Sequence, residues 1–453
     1  SYSFGPGGFG ASRGTYIGDS ESSAGSGGGG LGAGGAVFIM AGASLTIQGG
    51  SFSGNSVTSG SAFFNGSAYG ADLFLGADVT FDVGQGGSLT VDELGGAGNL
   101  ADPNVAGNAN EPNAQGGIVK RGSGTLVLNG GNYYAGATTV NSGTLAFAAG
   151  ASEQGTSVVT VGQNAGDVAT LQLGSSMLML AGWGSGADQP VMIAQAAGST
   201  GTVVSGTGPG SSGALIYARE LTGGAGTASL LFSQQYNVAS ATDPVYPVYA
   251  TLTGSLGIVQ QGLGTTLLQP GYGANTFSGT AIANSGTLAT TGTVAALAGT
   301  SGIVVNAGGV VALGQSNGVN DAAAVLLAGG TLRTAIGLTE TVGSLNITGD
   351  SVIDFLGNAA TLRFGTLDVG ADLAIWNYSE TQDFLEVFSG TAGGDLSRIS
   401  FYSDAGQTYV GEGTFSENYV VPVMTVPEPT TLAMLAMAVL VPWGRRRRAP
   451  SGG

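Results

Sequence analysis

The sequence predicts an all-β chain built as a stack of short strands, a β-solenoid. Three observations lead there. Glycine makes up 86 of 453 residues without a collagen triplet, and proline only 13. Apolar runs are two to five residues long and are closed by glycine-containing turns. A unit of about thirty residues occurs twice, and strands this short bury a core only when neighbours stack above and below them. Hydrophobic residues at 42% and charged residues at 9% suit a folded β-protein with a Ser/Thr/Asn surface, not a charge-rich disordered chain.

Taken in order, residues 1–33 are dominated by Gly and Ser and are expected to be a flexible N-terminal segment. From Gly34 the text GGAVFIMAGASLTIQGGSFSGNS alternates: Val37 and Ile39 on one side, Phe38 and Met40 on the other, then Leu45 and Ile47, then Phe52. It resembles the rungs of right-handed parallel β-helix proteins, and Asn55 falls where such helices stack Asn side chains. Ala71–Leu75 and Val79–Phe81 give a second round, and Gly95–Gln115, with Pro103 and Pro112, reads as a loop or insertion.

The repeat follows at 117–147: GIVKRGSGTLVLNGGNYYAGATTVNSGTLAF. Its second copy, 257–288, reads GIVQQGLGTTLLQPGYGANTFSGTAIANSGTL. Length differs only in the turn between the halves, as expected when strands are kept and turns vary. The unit resembles the autotransporter-associated β-strand repeat at Gly117, Lys120, Gly122, Gly124–Leu126, Leu128, Asn132, Tyr134, Gly136, Thr138–Asn141 and Gly143–Leu145. The second copy departs from the family at Gln260, where Lys is usual, and at Ala281, where Thr is. This resemblance implies a parallel β-helix over 34–340. Leu126, Leu128, Leu145, Leu267, Leu268 and Leu288 are expected to face one core. About 20–25 residues per rung gives about 12–15 rungs. At ~4.8 Å per rung, the rod would be about 60–70 Å long. Aromatic and acidic residues become denser after 340, so 341–424 is expected to be a β-rich C-terminal cap covering the solenoid end.

The tail, 425–453, has its own pattern. Val426, Pro427, Glu428 and Pro429 precede an apolar run carrying Leu432, Leu435, Val439, Leu440 and Trp443. Arg445, Arg446, Arg447 and Arg448 follow. An apolar segment ahead of a basic cluster is a stop-transfer arrangement, with the arginines kept on the cytoplasmic side. The order resembles the PEP-CTERM sorting signal of Gram-negative bacteria that make exopolysaccharide. That resemblance implies cleavage at Pro-Glu-Pro by a membrane partner, an exosortase, which would supply the catalytic cysteine. A short apolar C-terminal helix would hold the chain in the inner membrane only transiently: Thr430–Gly444 is 15 residues and contains Pro442, against about 20 needed to span. Export also implies a leader ahead of Ser1, removed or outside this sequence. An autotransporter passenger would need a C-terminal barrel, and the sorting tail stands there instead.

Composition narrows the chemistry. With no His and no Cys, a Ser-His-Asp triad, His-ligated zinc and thiol catalysis are excluded. A net charge of −17, with seven basic residues scattered before residue 445, argues against nucleic acid. No cofactor or metal is expected. Carboxylates remain. Asp72, Asp78, Asp82, Asp350 and Asp354 are the residues on which a polysaccharide lyase or hydrolase could be built, and edge charge is the simpler role for them. The expectation is therefore a secreted, exosortase-sorted structural or adhesive rod at the cell surface, in contact with exopolysaccharide. A carbohydrate-active enzyme on the same fold is the alternative.

Overall fold

The computed structural model describes residues 15–16, 25–26, 32–60, 68–95, 116–174, 177–180, 189–206, 215–235, 246–248, 250–270, 273–291, 294–356, 359–389 and 392–424. Short strands wind into three faces, and from Val37–Ile39 to Ile399–Tyr402 strands of successive rungs pair in parallel. The chain is a parallel β-helix. In the amino-terminal half one face is a seven-stranded sheet from Val37–Ile39 to Leu215–Tyr217. A second face has eight strands, from Leu45–Ile47 to Thr251–Gly254. The third face runs the length of the rod, from Ser51–Phe52 through Thr125–Leu128, Thr227–Phe232 and Gly302–Asn306 to Ala392–Gly394.

The sequence forms these strands because apolar and polar residues alternate, and a strand turns alternate side chains to opposite faces. In Thr125–Leu128, Leu126 and Leu128 are buried while Thr125 and Val127 are half-exposed. The strand above, Ser142–Phe147, places Leu145 on Leu126 and Phe147 on Leu128. The second copy keeps this register: Thr265 pairs Thr287 and Leu268 pairs Thr290. Leu126, Leu128, Leu145, Leu268 and Leu288 all lie in one continuous core. Leu267 does not. It is half-exposed beside buried Thr266, because two adjacent leucines on one strand cannot both point inward.

Corners need residues without a Cβ. Gly143 has φ +68° and Gly286, its counterpart, φ +60°. A Cβ on Gly143 would lie 2.4 Å from the Gly124 carbonyl oxygen, and one on Gly286 would lie 2.3 Å from that of Gly262. Only glycine lets the rungs close this tightly.

From Thr251–Gly254 onward the second face loses its ladder. Segments without regular strand pairing bridge the rungs there, as in the bonds from the Thr276 N–H to the Leu252 carbonyl and from the Leu297 N–H to the Gly318 carbonyl. Regular pairing returns with two long strands, Thr339–Gly349 and Thr361–Val369, which pair at both ends and bend round a corner at Gly343 and Gly365. Within 341–424 the parallel stack therefore runs on as far as Ile399–Tyr402. Tyr409–Ser416 and Tyr419–Met424 then close the end in antiparallel fashion. Tyr378 and Phe401, with ring centroids 4.7 Å apart, are buried near this end.

Of residues 1–33, Thr15–Tyr16 pairs antiparallel with Gly25–Ser26, and Gly32–Ala33 pairs with Ala68–Tyr69. Gly95, expected to open the insertion at Gly95–Gln115, instead ends a strand and pairs with Tyr133. The rest of that insertion, the remainder of the N-terminal segment and the C-terminal helix expected in the tail lie outside the described residues. Asn55 Nδ2 donates to Asp72 Oδ1 at 2.7 Å. Among the described residues an Asn-on-Asn contact is formed by Asn306, whose Nδ2 donates to Asn284 Oδ1 at 2.6 Å.

Candidate functional site

The interior of the repeat is not purely apolar. Lys120, the single lysine, is fully buried, and its Nζ donates to the carbonyls of Arg121 and Gly122 at 2.7 Å and of Ser142 at 3.1 Å. Burial lowers its ammonium to about 8, against the upward pull of Asp82. In the second copy Gln260 takes this place. Its Nε2 donates to the Gly262 and Gly264 carbonyls, at 2.8 and 3.1 Å. An amide also brings an acceptor that an ammonium lacks. Thr266, standing where the first copy has Leu126, donates its hydroxyl to Gln260 Oε1 at 2.7 Å and accepts from Gln234 Nε2 at 2.5 Å.

A second coupled exchange lies one turn further on. The Tyr134 hydroxyl contacts Thr138 Oγ1 at 2.7 Å, and Thr138 contacts Thr156 at 3.0 Å. Their counterparts are Phe277 and Ala281, so both hydroxyls disappear together and neither is stranded. Asn132 and Asn275 are kept. Asn132 Oδ1 accepts from the Leu94 N–H and its Nδ2 donates to the Ser152 carbonyl, binding three rungs. Asn275 does the same between Leu252 and Ala296.

Three buried carboxyls went unnoticed in the sequence. Glu153 is completely buried, and burial drives its carboxyl well above the usual range although the neighbouring Tyr134 hydroxyl and Thr156 backbone pull it down. Glu340 accepts from the Gly318 N–H at 2.8 Å, and burial raises it to about 7 although neighbouring N–H groups pull it down. Asp383, also raised by burial, accepts from the N–H groups of Ala360 and Ser379. The only signal available beforehand was an acid at a position that alternation assigns to the interior.

The carboxylates singled out from the sequence are mostly occupied with backbone. Asp72 is buried, accepting from Asn55 and from the N–H groups of Asp92 and Glu93. Asp78 accepts from the Gly117 N–H at 2.8 Å, and Asp350 from the Asp372 N–H at 3.2 Å. Asp354 holds Arg333, Asn377 and the Leu356 N–H. Asp82 sits beside Lys120 and its turn glycine, Gly122. Asp78 and Asp82 flank one strand of the second face, while Asp350 and Asp354 lie many rungs away, so no common cleft gathers them. Among the described residues no three His, Cys, Asp or Glu side chains cluster in a way that could hold a metal.

What the geometry defines is a repeat-built parallel β-helix whose polar interior ties rung to rung. Comparison with known families agrees. Residues 118–147 and 258–289 match the passenger-associated-transport-repeat, and residues 425–448 match the PEP-CTERM protein-sorting motif. No curated protein and no solved structure matches the chain. The resemblances read from the repeat and from the tail are thereby supported. The processing motif Val426–Pro429, the apolar run from Leu432 to Trp443 and Arg445–Arg448 lie outside the described residues. Among those described, no helix is long and apolar enough to cross a membrane.

Proposed function

We propose that this protein is an exported structural or adhesive rod, sorted to the cell surface through its C-terminal motif. The match of residues 425–448 to a protein-sorting motif carries the reading: it supports export to the surface and processing by an exosortase. The rod supports it as well. Its polar groups are spent on joining rungs, and the acids that could serve catalysis mostly hold backbone N–H groups. The chain would rest in the inner membrane through Leu432–Trp443, with Arg445–Arg448 inside, until cleavage near Pro427–Pro429 releases an acidic rod toward exopolysaccharide. Mass spectrometry of the extracellular form tests this. Peptides ending near Pro427–Pro429 are expected, and an intact Arg445–Arg448 on most mature molecules would rule it out.

A further inference from the structure

The third face carries a feature that sorting does not use. Along six successive rungs, one outward position is aliphatic every time: Val204, Leu231, Val259, Ile282, Val304 and Leu326. Parallel register sets each directly on the next. All six are half-exposed on strands whose alternate residues are buried, so they point to solvent. The stripe is bounded by polar residues of the same column, Gln172 before Val204 and Asn346 after Leu326. The parallel column two residues earlier is small, from Thr202 through Thr280 to Ala324, so the aliphatic groups stand on a low shelf. Neither column holds a charge between residues 200 and 328, in a chain of net charge −17.

We infer that this stripe is a homotypic interface, on which a second copy of the chain lies side by side with the first. Charge favours that occupant. Two strongly acidic rods repel wherever acids face each other, and this uncharged strip lets their surfaces touch without that cost. Geometry favours it too. The side chains repeat at the rung spacing, so two stripes have the same period and interdigitate about a twofold axis. Contiguous apolar surface rimmed by polar residues is the usual mark of such a contact. The size sets its strength. Five rung spacings give a length of about 24 Å, and two columns a width of about 14 Å. That is roughly 340 Å² per partner, below the ~800 Å² of a standard stable interface. The contact is thus weak between free molecules and becomes populated when rods are concentrated on one surface. It concerns the rod alone and stands or falls separately from the export reading.

The test is sedimentation equilibrium of the full-length protein, with melting followed in parallel. Reversible, concentration-dependent dimerisation is expected. Ile282→Glu combined with Val304→Glu should weaken it at least tenfold, whereas Thr222→Glu, outward on another face, should leave it unchanged. If the double glutamate variant does not fold, Val304→Asn serves, because Asn346 already occupies that column. Raising salt from about 50 to about 500 mM should strengthen the dimer by screening the acidic surfaces. A monomer at all concentrations, a dimer indifferent to the stripe variants, or one weakened equally by Thr222→Glu would overturn the inference. A dimer dispersed by salt, or a neutral polysaccharide held by the stripe of a protein that stays monomeric, would do the same.

Discussion

Exchanging Gln260 and Thr266 for their first-copy counterparts tests whether the two copies are alternative solutions to one burial problem. Thr266→Leu alone leaves Gln260 Oε1 and Gln234 Nε2 without the hydroxyl that joins them. Each of the two stranded buried groups costs about 1–3 kcal/mol, while the two added carbons return about 0.8 kcal/mol each, so a net loss of about 0.5–4 kcal/mol is expected. Gln260→Lys alone restores an ammonium over the turn carbonyls but strands the Thr266 hydroxyl, for a similar loss. Made together, they remove both the Gln260 acceptor and the Thr266 donor and approach the arrangement around Lys120 and Leu126, leaving only Gln234 Nε2 without the partner it had, as in Thr266→Leu alone. The double variant should therefore be more stable than the sum of the singles by about 1.5–3 kcal/mol, well outside the ~0.5 kcal/mol within which independent sites add. Urea unfolding of the four proteins, read by far-ultraviolet circular dichroism and by amide exchange at Leu267 and Leu268, measures the coupling. Additive single effects would refute the reasoning.

Leu145→Ala should cost about 2–5 kcal/mol by opening a cavity in the core, whereas Leu267→Ala should cost well under 1 kcal/mol; comparable losses in urea melts would contradict the alternation. Glu340, raised from 4.5 to about 7 by burial, holds its proton more tightly folded than unfolded, so its contribution is complete below about pH 4.5 and lost as pH rises to about 7. Melting temperatures between pH 4.5 and 8 should therefore fall less steeply in Glu340→Gln than in the parent, and parallel profiles would count against that linkage. Replacing Arg445–Arg448 with Ser should leave the unprocessed chain without its cytoplasmic anchor. Immunoblots of membrane and medium would then show slippage or degradation, and unchanged surface display would speak against the sorting reading.

Much of the rod was legible because alternation and glycine turns are local signals. Leu126, Leu128 and Leu145 announce their face, and the shared spacing of the two copies gives the pairing of Thr125 with Thr144 and of Thr265 with Thr287. Leu267 misled because hydrophobicity alone does not choose between adjacent leucines; the copy-to-copy alignment does, by placing Thr266 on Leu126. The departures at Gln260 and Ala281 were visible as departures, but their compensations at Thr266 and Phe277 lie across turns or on neighbouring strands and emerge only in three dimensions. Glu153 was hidden for the opposite reason. A carboxyl in a core runs against the cost of burial, so an acid at an inward position of the alternation reads as a break in the pattern and not as a core residue. The reach of the parallel stack past residue 341 was obscured by aromatic residues that fill the interior, such as Phe355 and Phe364, and that suggested a separate cap.

The interrupted second face bears on how the rod yields to force. In a parallel β-helix the inter-rung hydrogen bonds point along the axis, so a pull on the two ends loads every ladder in tension. Over most of the length three ladders share that load. Between Gly254 and Thr339 two continuous ladders remain, the third face and a second one running from Tyr246–Val248 through Thr265–Leu268, Gly286–Thr290 and Gly309–Leu313 to Thr331–Thr334, and the remaining side is spanned by scattered bonds such as Thr276 to Leu252 and Leu297 to Gly318. This stretch is the mechanical fuse of the molecule. Stretched singly, it should part there first, lengthening the tether while the amino-terminal rungs and the antiparallel end stay wound. A first rupture in the amino-terminal rungs would disprove that order.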